Sequence, residues 1–420
     1  MNSRERVLST LNHMEPDRIP LDLGGTSVTG IHVSSLHSLK VALGLITPDE
    51  PVKVSNPFLM LGEVDEDLRR VLGIDTIPLS SPSNFFGFPN TDWKPWRLFD
   101  GTPVLIPGLF NTEPDRNGSI VQYPRGDRSR PPSARMPGGG FYHDAIIRKP
   151  VLDENELTVE NQTEEYQVMS EEQLRWTEVE TIRLYEETDF AIISRGVAGT
   201  NLGDIAHIPG CALLNPRGIR DVEEWYVSLV TRKTFLHDVF TRMTDIALEN
   251  LQRFYQAVGE KIQVIVVSAA DFGSQNGLFI SRELYEVLFK PFHKRINAWI
   301  HQHSGWKTFI HTCGSVKELL LDLHEAGFDI LNPVQISAVN MDPGSLKKEY
   351  GELFTFWGGG IDTQHTLPFG TPEDIRQEVK HLIDVFRPGG GFVWNTVHNL
   401  QANIPQENLI TLFEAFRACR

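Results

Sequence analysis

The sequence predicts an α/β protein, a (β/α)8 TIM barrel with an inserted Gly/Pro-rich β-hairpin or lid region. Short β-rich runs alternate with amphipathic helical patterns over most of the chain, which is typical of a parallel sheet connected by helices. The length of 420 residues suits one large barrel domain. One internal segment, at about residues 78–149, breaks the alternation and predicts an insertion.

Seven runs of residues predict strands, each taken with the residues that follow it: 19–25, 190–200, 263–271, 308–314, 330–335, 355–362 and 391–399. Helical periodicity is found between them, at 223–258, 281–304, 315–326, 372–386 and 406–417. This number of strands favours an eight-stranded barrel that forms a single domain over residues 1–420. A doubly wound open sheet is the alternative, because periodicity alone does not separate the two folds.

The segment at 78–149 is rich in proline and glycine and carries aromatic residues such as Trp93, Trp96 and Phe141. Turn residues bend the chain, and aromatic side chains bury against a larger body. The segment therefore predicts β-hairpins or a lid that covers the substrate pocket. An insertion without a role in the site is the alternative.

Composition limits the class of function. The chain is 40% hydrophobic and 22% charged, with a formal net charge of -16. This balance argues against nucleic acid or an anionic membrane as the main partner, because no excess of Lys and Arg is available to neutralise phosphates. No apolar targeting segment opens the sequence, and the three cysteines are too few for a disulfide framework. We expect a cytoplasmic protein that acts on a small molecule.

Five of the predicted strands end in polar residues or glycines. In parallel α/β folds, the chemistry gathers at the C-terminal ends of the strands. The residues are Asp271 and Gln275; His311 and Cys313; Asn332 and Gln335; Gly358, Gly359, Gly360 and Asp362; and Asn395, His398 and Asn399. This concentration predicts an active site at one end of the barrel.

His311 and Cys313 stand two residues apart at the end of a strand, so their side chains point to the same face. An imidazole and a thiolate are zinc ligands, and a catalytic zinc site needs a third protein ligand. His398 is the best candidate for that ligand, while Cys211 and Asp271 are weaker ones. The residues alone also allow a buried Cys313 without metal, and a His398 that only donates a hydrogen bond to substrate.

Asp271 is predicted to act in catalysis together with Gln275. A helix N-cap is the alternative role for Asp271, but the loop that follows, residues 272–276, is too polar and too long for a cap alone. Five further strand-end residues are predicted to bind substrate: Asn332, Gln335, Gly359, Asp362 and Asn399.

Several of these segments together resemble the uroporphyrinogen decarboxylase superfamily. They are Arg4 to Leu8, Pro16 to Pro20, Asp271 to Gly277, His311 to Gly314, Asn332 to Gln335, Trp357 to Asp362, and His398 and Asn399 with Pro405, Glu407 and Asn408. The resemblance covers about two thirds of the chain and implies a (β/α)8 barrel. It also implies one of two chemistries. One branch removes carboxylates from a tetrapyrrole without a cofactor, and the other comprises cobalamin-dependent methyltransferases that hold zinc with a His, a nearby Cys and a distant Cys.

This sequence departs from both branches. Where the decarboxylases carry an arginine-rich segment after Pro20, residues 21–27 contain no cation, although a polycarboxylate needs several. Where the methyltransferases carry the distant Cys, the segment 395–399 contains none. His398 could instead complete a set of two histidines and one cysteine, which is a sound catalytic zinc site.

These considerations predict a zinc-dependent methyltransferase, with zinc held by His311, Cys313 and His398. A methyl group would move between a small molecule and a corrinoid carried on a separate partner protein. Two alternatives stay open: a cofactor-free decarboxylase acting on a tetrapyrrole or a smaller acid, and a catalytically inactive binding subunit for the corrinoid protein.

Overall fold

The computed structural model describes residues 1–420, which form fourteen strands and fourteen α-helices. The strands are β1 Val52–Asn56, β2 Leu61–Gly62, β3 Thr76–Leu79, β4 Lys94–Arg97, β5 Pro103–Ile106, β6 Ile120–Gln122, β7 Ala134–Met136, β8 Asp144–Ala145, β9 Ala191–Arg195, β10 Val264–Ser268, β11 Lys307–His311, β12 Ile330–Asn332, β13 Thr355–Trp357 and β14 Phe392–Val393. The helices are α1 Ser3–Leu11, α2 Val33–Ala42, α3 Glu66–Leu72, α4 Val159–Gln162, α5 Glu171–Glu187, α6 Val222–Thr231, α7 Lys233–Val258, α8 Arg282–Leu288, α9 Lys290–His303, α10 Leu320–Glu325, α11 Pro343–Tyr350, α12 Thr366–Phe369, α13 Pro372–Phe386 and α14 Gln406–Cys419.

Seven of the strands form one curled sheet in the order β14-β13-β12-β11-β10-β9-β3, and every neighbouring pair is parallel. The segment around Leu21 occupies the gap between the two edges of this sheet. Leu21 forms a parallel bridge to Trp394, just after β14, and its carbonyl accepts a hydrogen bond of 2.8 Å from the backbone N–H of Asp75, just before β3. The sheet therefore closes, which confirms the predicted barrel and excludes the open-sheet alternative.

The sequence prediction missed one barrel strand. β3 contains Pro78, which was assigned to the start of the insertion because proline lacks the N–H that a central strand uses. In the structure, Pro78 stands opposite Ile193 in the parallel ladder between β3 and β9. Two predicted helices are each a pair of helices: α6 and α7 meet at Arg232, and α8 and α9 meet at Phe289.

The interior of the barrel is a compact apolar cluster separate from the main core. Nine buried residues form it: Val7, Leu11, Ala191, Ile193, Val264, Phe309, Ile330, Trp357 and Val393. Seven of them lie on barrel strands, and Val7 and Leu11 belong to α1, which closes the N-terminal end of the barrel. Strand residues of the opposite parity, such as Ile192 and Ile310, belong to the larger core of 85 residues around the barrel.

The segment after β3 folds into β-structure. β4 and β5 form an antiparallel hairpin that joins β1 and β2 in a four-stranded sheet, and β6, β7 and β8 form a three-stranded sheet. Contacts tie this segment to loops at the C-terminal side of the barrel: His32 Nε2 lies 2.8 Å from the carbonyl of Phe141, and Cys211 Sγ lies 3.5 Å from that of Ser133. A role for it as a lid stays a prediction. None of the helices combines the length and hydrophobicity that a membrane crossing requires.

The seam of the barrel is held by the fully buried carboxylate of Asp75. Its Oδ1 lies 2.7 Å from an Arg6 guanidinium nitrogen, and its Oδ2 lies 2.7 Å from one of Arg18. Oδ2 also accepts a hydrogen bond of 2.9 Å from the backbone N–H of Leu21. One side chain thus connects α1, the segment before Leu21 and the start of β3. Arg6 and Arg18 belong to the two N-terminal segments that carry the family resemblance.

We expect the substitution Asp75→Asn to lower the free energy of unfolding by about 3–5 kcal/mol, because it leaves two arginines without their buried counter-charge. Urea denaturation followed by circular dichroism measures this change. The matched control is Asp49→Asn, whose side chain is 96% exposed, and its effect should stay within about 0.5 kcal/mol. Equal stability of the two variants would contradict this account of the seam.

Candidate active site

The ligand atoms of His311, Cys313 and His398 lie within 4.8 Å of one another, at the C-terminal end of the barrel. His311 is the last residue of β11, Cys313 follows it in the loop, and His398 lies in the loop after β14. Cys313 Sγ is 3.3 Å from His311 Nε2, and the two imidazole rings are 5.3 Å apart. The structure therefore brings together the three residues that the sequence predicted as metal ligands.

The orientation of His311 follows from its hydrogen bonds. Asn332 donates from Nδ2 to the carbonyl of Trp357 at 2.7 Å, so its Oδ1 is the atom that faces His311 Nδ1, at 2.6 Å. An amide oxygen only accepts, so Nδ1 carries the ring proton and Nε2 keeps its lone pair. That lone pair faces Cys313. His311 thus presents a metal-ligating atom, oriented in the manner of histidine ligands in metal sites.

The support behind His311 extends across the barrel. The indole N–H of Trp357 donates to Asp22 Oδ2 at 2.8 Å. Asp22 is fully buried and also accepts hydrogen bonds from Thr76 Oγ1, at 2.5 Å, and from the backbone N–H of Gly25, at 2.9 Å. Burial raises the pKa of the Asp22 carboxyl above its usual value. Asp22, Trp357, Asn332 and His311 form a continuous chain of hydrogen-bonded groups.

Asp271 lies beside the cluster. Its Oδ1 accepts a hydrogen bond of 2.8 Å from the backbone N–H of Cys313 and lies 3.9 Å from His311 Nε2. Its side chain is 31% exposed, so a small molecule in the barrel mouth can reach it. Burial, together with the nearby Asp271 carboxylate, raises the pKa of the Cys313 thiol. Burial and then the charge of Asp271 also raise the pKa of Tyr226, a residue of α6.

His398 makes a hydrogen bond that bears on coordination. The backbone N–H of Asn399 donates to His398 Nδ1 at 2.7 Å, so the proton of the neutral ring stands on Nε2. Burial, with a further contribution from His311, lowers the pKa of His398 to about 3 and keeps the ring neutral. Coordination through His398 therefore requires the ring to rotate or to give up this bond. Without metal, its Nε2–H is a donor.

The donor set of the cluster fits a zinc ion. For zinc, bond lengths of about 2.3 Å to sulfur and about 2.0 Å to nitrogen place tetrahedral ligands roughly 3.5 Å apart. The distance of 3.3 Å between Cys313 Sγ and His311 Nε2 is close to that value. Two imidazoles and a thiol would leave a fourth position open for a ligand that reacts.

The other predicted residues surround the cluster at different depths. Gln335 is buried; its Oε1 accepts a hydrogen bond of 2.7 Å from Gly314, and its Nε2 donates to Gln275 Oε1 at 2.9 Å. Gln275 thus links the β10 and β12 loops through its amide. Asn332 is fully buried behind His311 and does not line the mouth.

Asp362, Asn399 and Gly359 organise loops. Asp362 accepts hydrogen bonds from the backbone of Gln364 and lies 3.1 Å from His365 Nδ1. Asn399 Oδ1 accepts a hydrogen bond of 2.5 Å from the backbone N–H of Gly30 and joins the loop after β14 to the loop after Leu21. Gly359 has φ of +81°, and a Cβ there would lie 2.8 Å from the Val334 Cβ, so this turn requires glycine.

Two site residues were not predicted from the sequence. Tyr226 belongs to α6, and the sequence around it shows only the periodicity of an amphipathic helix, which does not indicate a site residue. Arg195 is the last residue of β9 and is exposed there. A charged residue that follows a buried apolar strand is a signal of the same kind as Asp271, and could have identified Arg195. Cys211, the weaker candidate ligand, lies against the inserted segment and is not part of the cluster; burial raises its pKa to about 12.

The fold and site define the class of protein: a (β/α)8 barrel with a group that could hold a metal ion at the end where such barrels place their chemistry. Residues 211–419 match the family model for uroporphyrinogen decarboxylase. This match confirms the resemblance to the uroporphyrinogen decarboxylase superfamily that the sequence indicated.

Two similar proteins extend this result. The chain is 22% identical over 177 residues to uroporphyrinogen decarboxylase of Pseudoalteromonas translucida (strain TAC 125), and the match covers 41% of this chain and 45% of that enzyme. Among solved structures, a methyltransferase from Methanosarcina mazei superposes with a TM-score of 0.53 at 13% identity, over 100% of this chain and 99% of that one. The structural similarity shows that the two proteins share a fold over their whole length.

We expect Cys313 to react slowly with iodoacetamide near neutral pH, because its raised pKa keeps it protonated and only the thiolate is nucleophilic. The substitution Asp271→Asn removes the neighbouring charge and retains an oxygen that accepts the Cys313 N–H. It should raise the alkylation rate of Cys313 by about threefold to tenfold. Peptide mass spectrometry after timed alkylation measures the rates, and Cys211 serves as the internal control. Equal rates at Cys313 in both proteins would remove Asp271 as a determinant of the thiol pKa.

Proposed function

We propose that this protein is a zinc-dependent methyltransferase that moves a methyl group between a small molecule and a corrinoid carried on a partner protein. The observation that carries the proposal is the convergence of His311, Cys313 and His398 within 4.8 Å of one another at the C-terminal end of the barrel. Two of these residues come from one strand end, and the third comes from a loop 85 residues further along the sequence. A structural role for Cys313 alone would not require the two imidazoles beside it.

His311, Cys313 and His398 would hold the zinc. A bound zinc ion supplies Lewis acidity, which stabilises a thiolate or polarises the heteroatom that carries a methyl group. The protein's own groups act around it. Asn332 keeps Nε2 of His311 unprotonated, and the loss of such a partner weakens metal affinity in known sites.

Asp271 and Tyr226 are the groups proposed to handle protons. The Asp271 carboxylate lies on the open side of the cluster and can accept a proton from a thiol or alcohol that enters the mouth. Its Oδ1 already accepts the Cys313 N–H, which fixes the position of the carboxylate relative to the strand end. Tyr226, whose pKa is raised, stays protonated and can donate a hydrogen bond to substrate.

Gln275 and Gln335 are proposed to shape the substrate pocket through their amide pair. Gln335 accepts a hydrogen bond from the backbone N–H of Gly314 and donates one to Gln275, so the loops after β10, β11 and β12 are connected. Gly359, Asp362 and Asn399 order the loops on the other side of the mouth. The corrinoid is proposed to approach this mouth on its partner protein, since the site lies at the end of the barrel where the loops meet solvent.

A decarboxylase is the second candidate, because the family model that matches is named for that activity. The structure gives this candidate less support for a tetrapyrrole with many carboxylates. The stretch after Pro20 contributes the buried carboxyl of Asp22 to the barrel interior instead of cations. Arg69, the nearest buried arginine, donates its hydrogen bonds to the carbonyls of Leu23 and Thr76.

Elemental analysis of the purified protein tests the proposal. We expect about one zinc per chain, lost in Cys313→Ala and in His398→Ala and retained in Cys211→Ala, the control that removes a cysteine outside the cluster. A folded protein that takes up no zinc would overturn the metal site. A metal-free protein that decarboxylates uroporphyrinogen would establish the second candidate. A zinc-bearing protein that transfers no methyl group between any tested donor and a corrinoid protein would favour a binding subunit.

The substitution Asn332→Leu should weaken zinc affinity by about 10- to 100-fold, because His311 loses the acceptor that selects its tautomer. Competition with a chelator of known affinity measures the change. Asn408→Leu is the matched control: Asn408 is also buried and donates to backbone carbonyls, but at α12 and α14, away from the cluster. Equal zinc affinity in the two variants would show that Asn332 does not support the metal.

A further inference from the structure

Arg195, at the C-terminal end of β9, has no partner within the protein. Its guanidinium forms neither an ion pair nor a hydrogen bond; the one side-chain contact to this residue is Ser194 Oγ on its backbone carbonyl. Buried arginines elsewhere are paired: Arg6 with Asp75, and Arg220 with Glu164 and Glu165. No group of the protein therefore neutralises the Arg195 guanidinium, although it stands at the end of a barrel strand.

The strand register places Arg195 inside the mouth of the barrel. Ala191 and Ile193 of β9 belong to the interior cluster, and successive side chains of a strand alternate between faces, so Arg195 also faces inward. Arg195 stands one step above Ile193, as His311 stands one step above Phe309, and both lower residues lie in the same cluster. In the strand ladder Val266 of β10 pairs with both Arg195 and Phe309, so Arg195 lies level with Phe309 and one inward-facing position below His311.

One strand, β10, separates the two residues, and Val266 is the register partner of Arg195 on it. Neighbouring strands are about 4.8 Å apart, so the backbones of β9 and β11 lie roughly 10 Å apart and their inward side chains converge within that distance. A compact molecule can therefore contact both Arg195 and the His311 cluster.

The surroundings of Arg195 make an unpaired charge costly. The residue is exposed to the mouth, yet the protein around it removes enough water to lower the pKa of the guanidinium. An arginine without a counter-charge in the protein is typical of a site where the ligand supplies the anion. Guanidinium groups bind carboxylates with two parallel hydrogen bonds.

We propose that Arg195 binds the carboxylate of a small anionic substrate whose methyl-bearing atom reaches the cluster of His311, Cys313 and His398. This inference rests on the proposed function and specifies its substrate class: a compact methylated acid with one carboxylate. One unpaired arginine matches a single negative charge, whereas a polycarboxylate or a phosphate dianion would call for further cations. Arg195 is a substrate-binding residue here and takes no part in methyl transfer itself.

Calorimetric titration with 3-(methylthio)propanoate, and with its neutral amide, tests this proposal. Both probes are titrated into protein stripped of metal, so that the result does not depend on zinc. We expect the acid to bind wild-type protein more tightly than the amide by about tenfold or more, and Arg195→Gln to abolish the difference. Arg195→Lys keeps the charge and should retain part of the preference. Arg175→Gln, which alters an exposed arginine on α5, should behave as wild type.

Equal binding of acid and amide to the wild-type protein, or an unchanged preference in Arg195→Gln, would overturn the proposal. The comparison of the two probes on wild-type protein needs no variant and so does not depend on the folding of one. A thermal melt provides a second readout: Arg195→Gln should unfold at the same temperature as the wild type or higher, because it removes an unpaired charge. A lower melting temperature would assign Arg195 to the fold instead.

The two proposals fail in different ways. Zinc bound by the protein, without any preference for the acid, would overturn the role of Arg195 and leave the metal site intact. A preference for the acid that depends on Arg195, in a protein that never takes up zinc, would overturn the metal site and leave the carboxylate site intact.

Discussion

The closure of the barrel depends on the buried carboxylate of Asp75. It is shared by Arg6, Arg18 and the backbone of Leu21, so that one group aligns the N-terminal helix, the closing segment and β3. Closure of the barrel holds the strands in register. It therefore fixes the position of each site residue at a strand end along the barrel axis. His311 and Arg195 both end barrel strands whose inward-facing residues form the interior apolar cluster.

From this frame, the site is built by a chain of polar groups that crosses the barrel. Asp22 holds the Trp357 indole, the Trp357 carbonyl holds the Asn332 amide, and Asn332 holds His311. The Asn332 contact selects the tautomer of His311, because the amide oxygen can only accept a hydrogen bond. These buried contacts link the imidazole at the mouth to a carboxyl on the opposite side of the barrel through the side chain and the backbone of Trp357.

The barrel fold and the three candidate metal ligands could be predicted from the sequence. The contacts that position these residues could not, because they depend on neighbours in space. The alternation of strands and helices predicted the barrel, and the strand-end rule found His311, Cys313 and His398. β3 was missed because its Pro78 lacks the N–H that a central strand uses. The roles of Asn332 and Tyr226 depend on the hydrogen bonds and neighbours that their side chains meet in space, which no sequence spacing reports. The sequence shows Arg195 as a charged residue at a strand end, but only the folded structure shows that no counter-charge lies beside it.

The parallel bridge between Leu21 and Trp394 joins two positions that lie far apart in the sequence. Trp394, the partner of Leu21, is synthesised 373 residues after it, so the nascent protein spends that interval as an open sheet with an unpaired edge. Long-range closure of this kind is slow, and exposed strand edges favour aggregation. α1 is made before the barrel strands and can pack Val7 and Leu11 against the first of them. The N-terminal helix would then serve the growing chain as a cover for its apolar interior before the circle is complete.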